Sequence, residues 1–173
     1  MPGMTSLQNA QMLAKYRMWA DTLTFDAVAA LPPGEAAKER PTLFKTMIGT
    51  LNHNYLIDLI WQAHLEGREH GFQARNVALY PILADLWKAQ QKINRWYIDW
   101  AERQSERSLG EVVPFVFIGG EKSAMTRGDI LLHVVNHATY HRGWVAEMFF
   151  QVPARHPATD LPVYLKRGRP AAP

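Results

Sequence analysis

Residues 133–144 read His-Val-Val-Asn-His-Ala-Thr-Tyr-His-Arg-Gly-Trp, with histidines at positions 133, 137 and 141. On an α-helix, residues four apart lie on the same face, with Cβ atoms about 5–6 Å apart. The spacing therefore predicts a helix that presents a stripe of imidazoles, and two imidazoles on adjacent turns can bind one metal ion. Spacing alone does not decide between the pairs His133/His137 and His137/His141.

The alternative interpretation of this stripe is a set of hydrogen-bonded core histidines, which is the commoner role of a single buried histidine. Three histidines on one helix face are harder to explain in that way, because histidine is a below-average helix former and burial without partners costs free energy. One type of metal chemistry is excluded. Ala138 stands where zinc peptidases of the His-Glu-x-x-His type carry their general base.

A third donor must come from another part of the chain, because two ligands hold a metal weakly. His53 is the best candidate, since it lies within the apolar pattern of an earlier helix. His64 lies near the end of that helix, where we expect it to be solvated. His70 and His156 fall in predicted loops and are expected at the surface.

The hydrophobic pattern around these histidines predicts an all-α fold, a four-helix bundle in one domain spanning residues 1–173. The predicted helices run, in chain order, from residue 5 or 6 to about 30, from 42 to about 66, from 81 through 100, and from 127 to about 151. The run 112–118 is rich in β-prone residues, and Gly119-Gly120 is a turn signal, so a short β-hairpin is expected before the last long helix. Residues 152–173 are predicted to form a C-terminal tail with one helical turn near 160–165.

Composition narrows the possible functions. The chain of 173 residues contains no cysteine, which excludes disulfides and thiolate metal ligands. A net charge of only +3, with scattered basic residues, argues against nucleic-acid binding. No apolar run approaches the roughly 20 residues needed to span a membrane, and the start of the chain lacks the pattern of a secretory signal. We therefore expect a cytoplasmic protein without a membrane or nucleic-acid partner.

Several segments together resemble the DinB family of damage-inducible helical-bundle proteins. The resemblance covers nearly the whole chain and rests on residues 50–53, 58–61 with Gly67, 136–143, 150–151 and 159–162. It implies a four-helix bundle, commonly dimeric, with a three-histidine site for nickel or zinc. The family's ligands correspond to His53, His137 and His141 in this sequence. Tyr140 and Trp144 depart from the family pattern, in which a further histidine and a glutamine are usual at these positions.

The resemblance and the open three-histidine site favour a metal-dependent enzyme. We expect it to act on a small-molecule substrate such as a low-molecular-weight thiol or its adduct, as a thiol S-transferase or a hydrolase. The alternatives are a non-catalytic metal-binding stress-response module and a helical interaction protein without metal. Asp58 is expected to form a salt bridge between helices, for example with Arg142, and polar residues near the ligands are expected to orient the imidazoles.

Overall fold

A computed structural model describes residues 5–167 of the chain, and four long helices form its framework. In chain order the elements are α1 (Leu7–Ala29), α2 (Met47–Leu65), α3 (Leu83–Glu102), α4 (Glu106–Leu109), β1 (Val112–Val116), β2 (Lys122–Thr126), α5 (Arg127–Met148) and α6 (Leu161–Lys166). The predicted all-α bundle with a hairpin before the last long helix is confirmed. The short helix α4 was not predicted.

The four long helices close into a ring around one apolar core. Helix α1 packs against α3 and α5, and α2 packs against the same two helices. Each long helix therefore has two main neighbours, and α2 and α5 face one another along much of their length. Bundles of this kind place binding sites between facing helices.

Threonine and serine hydroxyls cap the helices that carry the site. The side chain of Ser6 accepts from the backbone amide of Asn9 at the start of α1, and Thr126 accepts from Asp129 at the start of α5. The prediction that α2 begins at Thr42 is wrong, because its cap is Thr46, whose hydroxyl accepts from the amide of Gly49. Residues 42–45 form a turn instead, with Lys45 at a positive φ of 62°.

Gly49 allows this turn to lie directly on the first turn of α2. A Cβ at position 49 would overlap with the backbone carbonyl oxygen of Phe44. The contact brings the Phe44 ring onto the same face of α2 as the residue one turn after Gly49, which is His53. A glycine in the first turn of α2 thus positions a ring at the candidate site.

The predicted hairpin pairs β1 and β2 in antiparallel register, with Val113 opposite Met125 and Phe115 opposite Ser123. Along β1 the burial alternates, so that Val113 and Phe115 point inward while Val112 and Val116 face solvent. The hairpin packs through β1 on α2 and through β2 on α5. Its inward face therefore lies beside the two helices that carry the histidines.

The segment after α5 returns to α1. The Tyr16 hydroxyl donates to the backbone carbonyl of Thr159 at 2.8 Å, and the rings of Trp19 and Tyr164 lie 5.3 Å apart. The helical turn predicted near 160–165 corresponds to α6. The rest of the predicted tail, residues 168–173, lies outside the described residues.

Within residues 5–167, no helix is both long enough and apolar enough to cross a bilayer.

Candidate metal centre between two helices

The three histidines selected from the sequence converge between α2 and α5. His53 comes from the middle of α2, and His137 and His141 come from adjacent turns of α5. One ring nitrogen of each lies within 4.8 Å of the corresponding nitrogens of the other two. His53 and His141 are buried and His137 is partly buried. The chain thus brings together three imidazole nitrogens that could hold a metal ion.

His53 is oriented by the backbone. Its Nδ1 lies 2.6 Å from the carbonyl oxygen of Arg75, and a carbonyl can only accept a hydrogen bond. The ring proton is therefore on Nδ1, and the lone pair of Nε2 points toward the other two histidines. A partner that fixes the tautomer in this way is what metal-binding histidines generally need.

The distance between ring nitrogens fits a shared ion. His53 Nε2 lies 3.2 Å from His137 Nε2. Two nitrogens bound to one ion at about 2.0–2.1 Å lie roughly 2.8–3.4 Å apart, the lower value in octahedral and the upper value in tetrahedral geometry. An ion could replace the single proton that His137 shares with His53, and a ring nitrogen of His141 lies within 4.8 Å of the nitrogens of both.

The remaining ring nitrogens are not satisfied by the protein. Nδ1 of His137 and Nδ1 of His141 are buried, and neither finds a hydrogen-bond partner within residues 5–167. Leaving such a nitrogen unpaired costs about 1–3 kcal/mol. Metal-binding histidines usually donate their other ring N–H to a protein group, and among the three histidines His53 makes such a hydrogen bond, to the carbonyl of Arg75.

Burial keeps these imidazoles neutral. Burial, followed by the proximity of the other histidines, lowers the pKa of His137 to about 2. Burial and the nearby His53 lower the pKa of His141 to about 4, and burial also lowers the pKa of His53. Metals bind neutral imidazole, so the three rings are ready to accept an ion at neutral pH without first losing protons.

Aromatic rings enclose the histidines on the side of the turn before α2. The Phe44 ring stacks on His53 with a centroid distance of 4.2 Å and an interplanar angle of 19°. Trp144 packs edge-on against His141 at 4.7 Å. Tyr140, the other departure from the family pattern, is largely exposed and touches the edge of His141. The two unusual residues therefore shape the outer side of the site.

His133 and His64 lie apart from the triad. The ring of His133 packs on Trp61 at 4.9 Å and stands 5.8 Å from His137, and it is not among the converging donors. The geometry thus favours the pair His137/His141. His64 packs edge-on against Trp61 and is partly buried, so its side chain is only partly exposed to solvent.

The two loop histidines are in loops, as predicted, but neither is fully exposed. Nδ1 of His70 accepts from the amide of Phe72, and Nε2 of His156 lies 3.2 Å from the hydroxyl of Thr24. Both side chains lie at the surface but are partly buried, because each ring packs against a neighbouring aromatic ring.

A cavity of about 720 Å³ opens onto all three histidines. Its walls come from α2, α5, the hairpin and the two loops before and after α2. Most lining side chains are apolar, and the polar ones besides the triad are His64, Arg75, Asn76 and His133. No aspartate or glutamate contributes to the described lining. The donors therefore face a space large enough for a small molecule.

A second buried polar cluster lies deeper in the same bundle. Arg17 of α1 bonds Asp58 of α2 at 2.6 Å and Asp21 at 2.9 Å, and Arg142 of α5 bonds Asp21 at 3.3 Å. Burial alone would lower the pKa of Arg17, but the two carboxylates outweigh burial and raise it, so the guanidinium stays charged. Asp58 does form an interhelical salt bridge, as expected, but its partner is Arg17 rather than Arg142.

The polar residues near the ligands in sequence form no hydrogen bond to the three imidazoles, and only Tyr140 among them packs its ring against one of them, that of His141. Asn52, for example, holds the loop at Tyr80, donating to its carbonyl at 2.7 Å and accepting from its amide at 2.9 Å. The groups that do contact His53, the Arg75 carbonyl and the Phe44 ring, were missed. A backbone carbonyl leaves no mark in side-chain identity, and Phe44 fits the apolar pattern of the predicted helix equally well.

Comparison with known proteins agrees with this geometry. The chain matches the DinB family profile over residues 4–170. It is 27% identical over 160 residues to Protein DinB of Bacillus subtilis (strain 168), covering 88% of this chain and 91% of that relative. The crystal structure of a DinB-like protein from Bacillus cereus ATCC 10987 is similar with a TM-score of 0.59 at 14% identity, over 83% of this chain and 91% of that chain. The structural likeness shows a shared fold.

Proposed function

The chain belongs to the DinB family, and we propose that it is a metalloenzyme in which His53, His137 and His141 bind one zinc or nickel ion at the wall of a substrate cavity. The reaction we propose is transfer to or from a low-molecular-weight thiol, or hydrolysis of a thiol adduct. The single observation that carries the proposal is the convergence of three neutral imidazole nitrogens on an open cavity.

Three protein ligands with access to a cavity are typical of catalytic rather than structural metal sites. A bound divalent ion supplies a Lewis acid, which lowers the pKa of a thiol or water that approaches it. The protein's own contributions are fixed by its contacts. The Arg75 carbonyl holds the His53 tautomer, and Phe44 covers one face of that ring.

Metal content tests the first half of the proposal. Untagged protein purified without metal-affinity resin should contain close to one equivalent of zinc or nickel by inductively coupled plasma mass spectrometry. The His137→Leu variant should lose the metal, and His133→Leu, changed one turn earlier on the same helix, should keep it. Full metal content in His137→Leu would contradict the assignment of the ligands.

Turnover tests the second half. Metal-loaded protein is incubated with low-molecular-weight thiols and electrophilic acceptors, and the loss of thiol is followed by mass spectrometry. We expect turnover that disappears in His137→Leu and survives in His133→Leu. Equal rates in the wild-type protein and His137→Leu would exclude a metal-dependent reaction.

The ligands also come from two different helices, which favours a second candidate function, a non-catalytic stress-response module in which the ion links α2 to α5. This candidate predicts a large fall in melting temperature on chelation and no binding of small ligands to the metal. An exchangeable ligand on the ion, detected by the electronic spectrum of the cobalt-substituted protein, would argue against it.

A homodimer is part of the proposal. Exposed apolar side chains on α5, Leu132 and Tyr140, offer a surface for a second copy of the chain. Sedimentation equilibrium at micromolar concentration should give a mass near twice 19.7 kDa. A monomer would exclude this part without affecting the metal site.

A further inference from the structure

The cavity beside the triad is elongated along α2. Residues 53, 57, 60, 61 and 64 all line it and recur at helical spacing on one face of that helix. Eight residues separate His53 from Trp61, which corresponds to about 12 Å along the helix axis. The cavity therefore extends well beyond the reach of a ligand that only occupies the metal.

Aromatic rings build the wall away from the triad. Trp61 meets Phe115 edge to face at 4.8 Å, and Phe115 meets Phe117 at 5.0 Å with an interplanar angle of 88°. Phe115 and Phe117 belong to the hairpin, whereas Trp61 belongs to α2. The hairpin thus completes an aromatic surface that runs from the triad to the opening of the cavity.

The opening itself is lined by exposed apolar side chains. Leu43 is 74% exposed, and Val116 and Phe117 are each 44% exposed, although all three line the cavity. Leu43 lies before α2 and the other two lie on the hairpin, so they stand on two different elements. A ligand with an apolar body would remove these side chains from water, with a gain of roughly 25 cal/mol per Å² buried.

We propose that the cavity selects a two-part ligand, with one donor group that binds the metal and an aromatic or similarly apolar body that lies along Trp61 and the hairpin. The inference rests on the proposed metal site and adds the chemical class of the substrate. The cavity lining described above supplies no carboxylate to pair with an ammonium group on that body.

Three hydroxamates with the same metal-binding group test the inference: acetohydroxamate, benzohydroxamate and 4-phenylbenzohydroxamate. Their dissociation constants for the metal-loaded protein are measured by isothermal titration calorimetry. We expect affinity to rise about tenfold with each ring, because burial of one ring contributes on the order of the free energy that changes an equilibrium constant tenfold.

Two hairpin variants locate the body of the ligand. Phe117→Ala should abolish most of the gain from the second ring. Val112→Ser is the matched control, because Val112 is 66% exposed on the same hairpin and is not among the residues that line the cavity. It should leave all three affinities within about twofold of wild type, since an exposed side chain outside the site has little effect.

The results separate the two proposals. If the metal binds but acetohydroxamate does not, there is no open coordination position, and both the proposed function and this inference are overturned. If all three hydroxamates bind equally tightly, the metal site stands and the inference about the apolar body is wrong. Equal loss of the second-ring gain in Phe117→Ala and Val112→Ser would also overturn the placement along the hairpin.

Discussion

The bundle contains two buried polar clusters that differ in one respect. In the ionic cluster, formed by Arg17, Asp21, Asp58 and Arg142, each charged group has a partner of opposite sign within the protein. In the histidine triad, three ring nitrogens converge without any group of opposite charge among the cluster's own members, and Nδ1 of His137 and of His141 finds no partner within residues 5–167. The first cluster is held together by ion pairs within the protein, although Nε of Arg142 is buried without a partner among the described residues, whereas the second offers nitrogen donors that a metal ion could bind.

The two clusters are interleaved on the same helices. His141 and Arg142 are adjacent on α5, and Asp58 follows His53 on α2 by little more than one turn. Arg17 also donates to the carbonyl of Val134 on α5 at 3.1 Å. The ionic cluster therefore ties α1, α2 and α5 together next to the triad. We expect changes in it to affect folding, and changes in the triad to affect binding.

The largest effect should come from the ionic cluster. Asp58→Ala leaves Arg17 buried with one carboxylate fewer, and removing one partner of a buried ion pair typically costs about 3–5 kcal/mol. Urea denaturation of the metal-free protein should show this loss in the free energy of unfolding. The control is Glu102→Ala, which removes the exposed pair with Lys15 and should leave the free energy of unfolding nearly unchanged. Similar losses in both variants would contradict the comparison.

Changes in the triad are expected to weaken metal binding and to leave the folding stability of the metal-free protein nearly unchanged. His137→Leu should weaken metal binding by roughly 100-fold or more, since even groups that only orient a ligand are worth about 10–100-fold. The same change removes both an unpaired buried nitrogen and the hydrogen bond to His53, two effects of opposite sign, so the free energy of unfolding of the metal-free protein should change by less than about 1 kcal/mol. Competition with a metal-sensitive dye and urea denaturation measure the two quantities. A large loss of stability without metal would show that the histidines are structural.

The pH dependence of the stability of the metal-free protein also tests whether His137 is buried as a neutral imidazole. The folded state lowers the pKa of His137 from 6.5 to about 2, so below pH 6.5 the unfolded chain binds a proton that the folded chain does not. Stability contributed by neutral His137 is therefore complete above pH 6.5 and falls as the pH drops through that value. Thermal melts between pH 7 and pH 5 should show a steeper fall for wild type than for His137→Leu. Parallel curves would contradict the lowered pKa.

The smallest effect should follow from Arg75→Ala. The group that holds His53 is the backbone carbonyl of residue 75, and the Arg75 side chain is exposed. Metal affinity should stay within about twofold of wild type, as expected for an exposed substitution. A loss as large as that of His137→Leu would mean that the side chain, rather than the carbonyl, contributes to the site.

The sequence was enough to predict the bundle, the hairpin and the convergence of the three histidines. The bundle, the hairpin and the stripe of histidines on the last long helix follow from local spacing, whereas the choice of His137 and His141 over His133 and His137 depended on the resemblance to the DinB family. The ionic cluster escaped prediction because Arg17 and Asp21 are four apart on α1 and resemble an ordinary surface pair. Only tertiary packing reveals that Asp58 completes it.

The start of α2 shows a second limit of sequence reasoning. Thr42 and Thr46 are equally suitable caps, and the choice depends on Lys45 adopting a positive φ. Such a backbone conformation is uncommon outside glycine and has no clear sequence signal at this lysine. Because the helix was predicted to begin at residue 42, Phe44 was placed within it. The contact between the Phe44 ring and His53 was therefore not predicted.

The close approach of Gly49 to the backbone of Phe44 has a practical consequence for redesign. The path of that turn is set by main-chain atoms rather than by the phenylalanine ring. Position 44 can therefore accept smaller side chains while the scaffold keeps its shape. Trimming it would widen the entrance to the imidazoles for bulkier reagents, which makes residue 44 a starting point for engineering new reactivity.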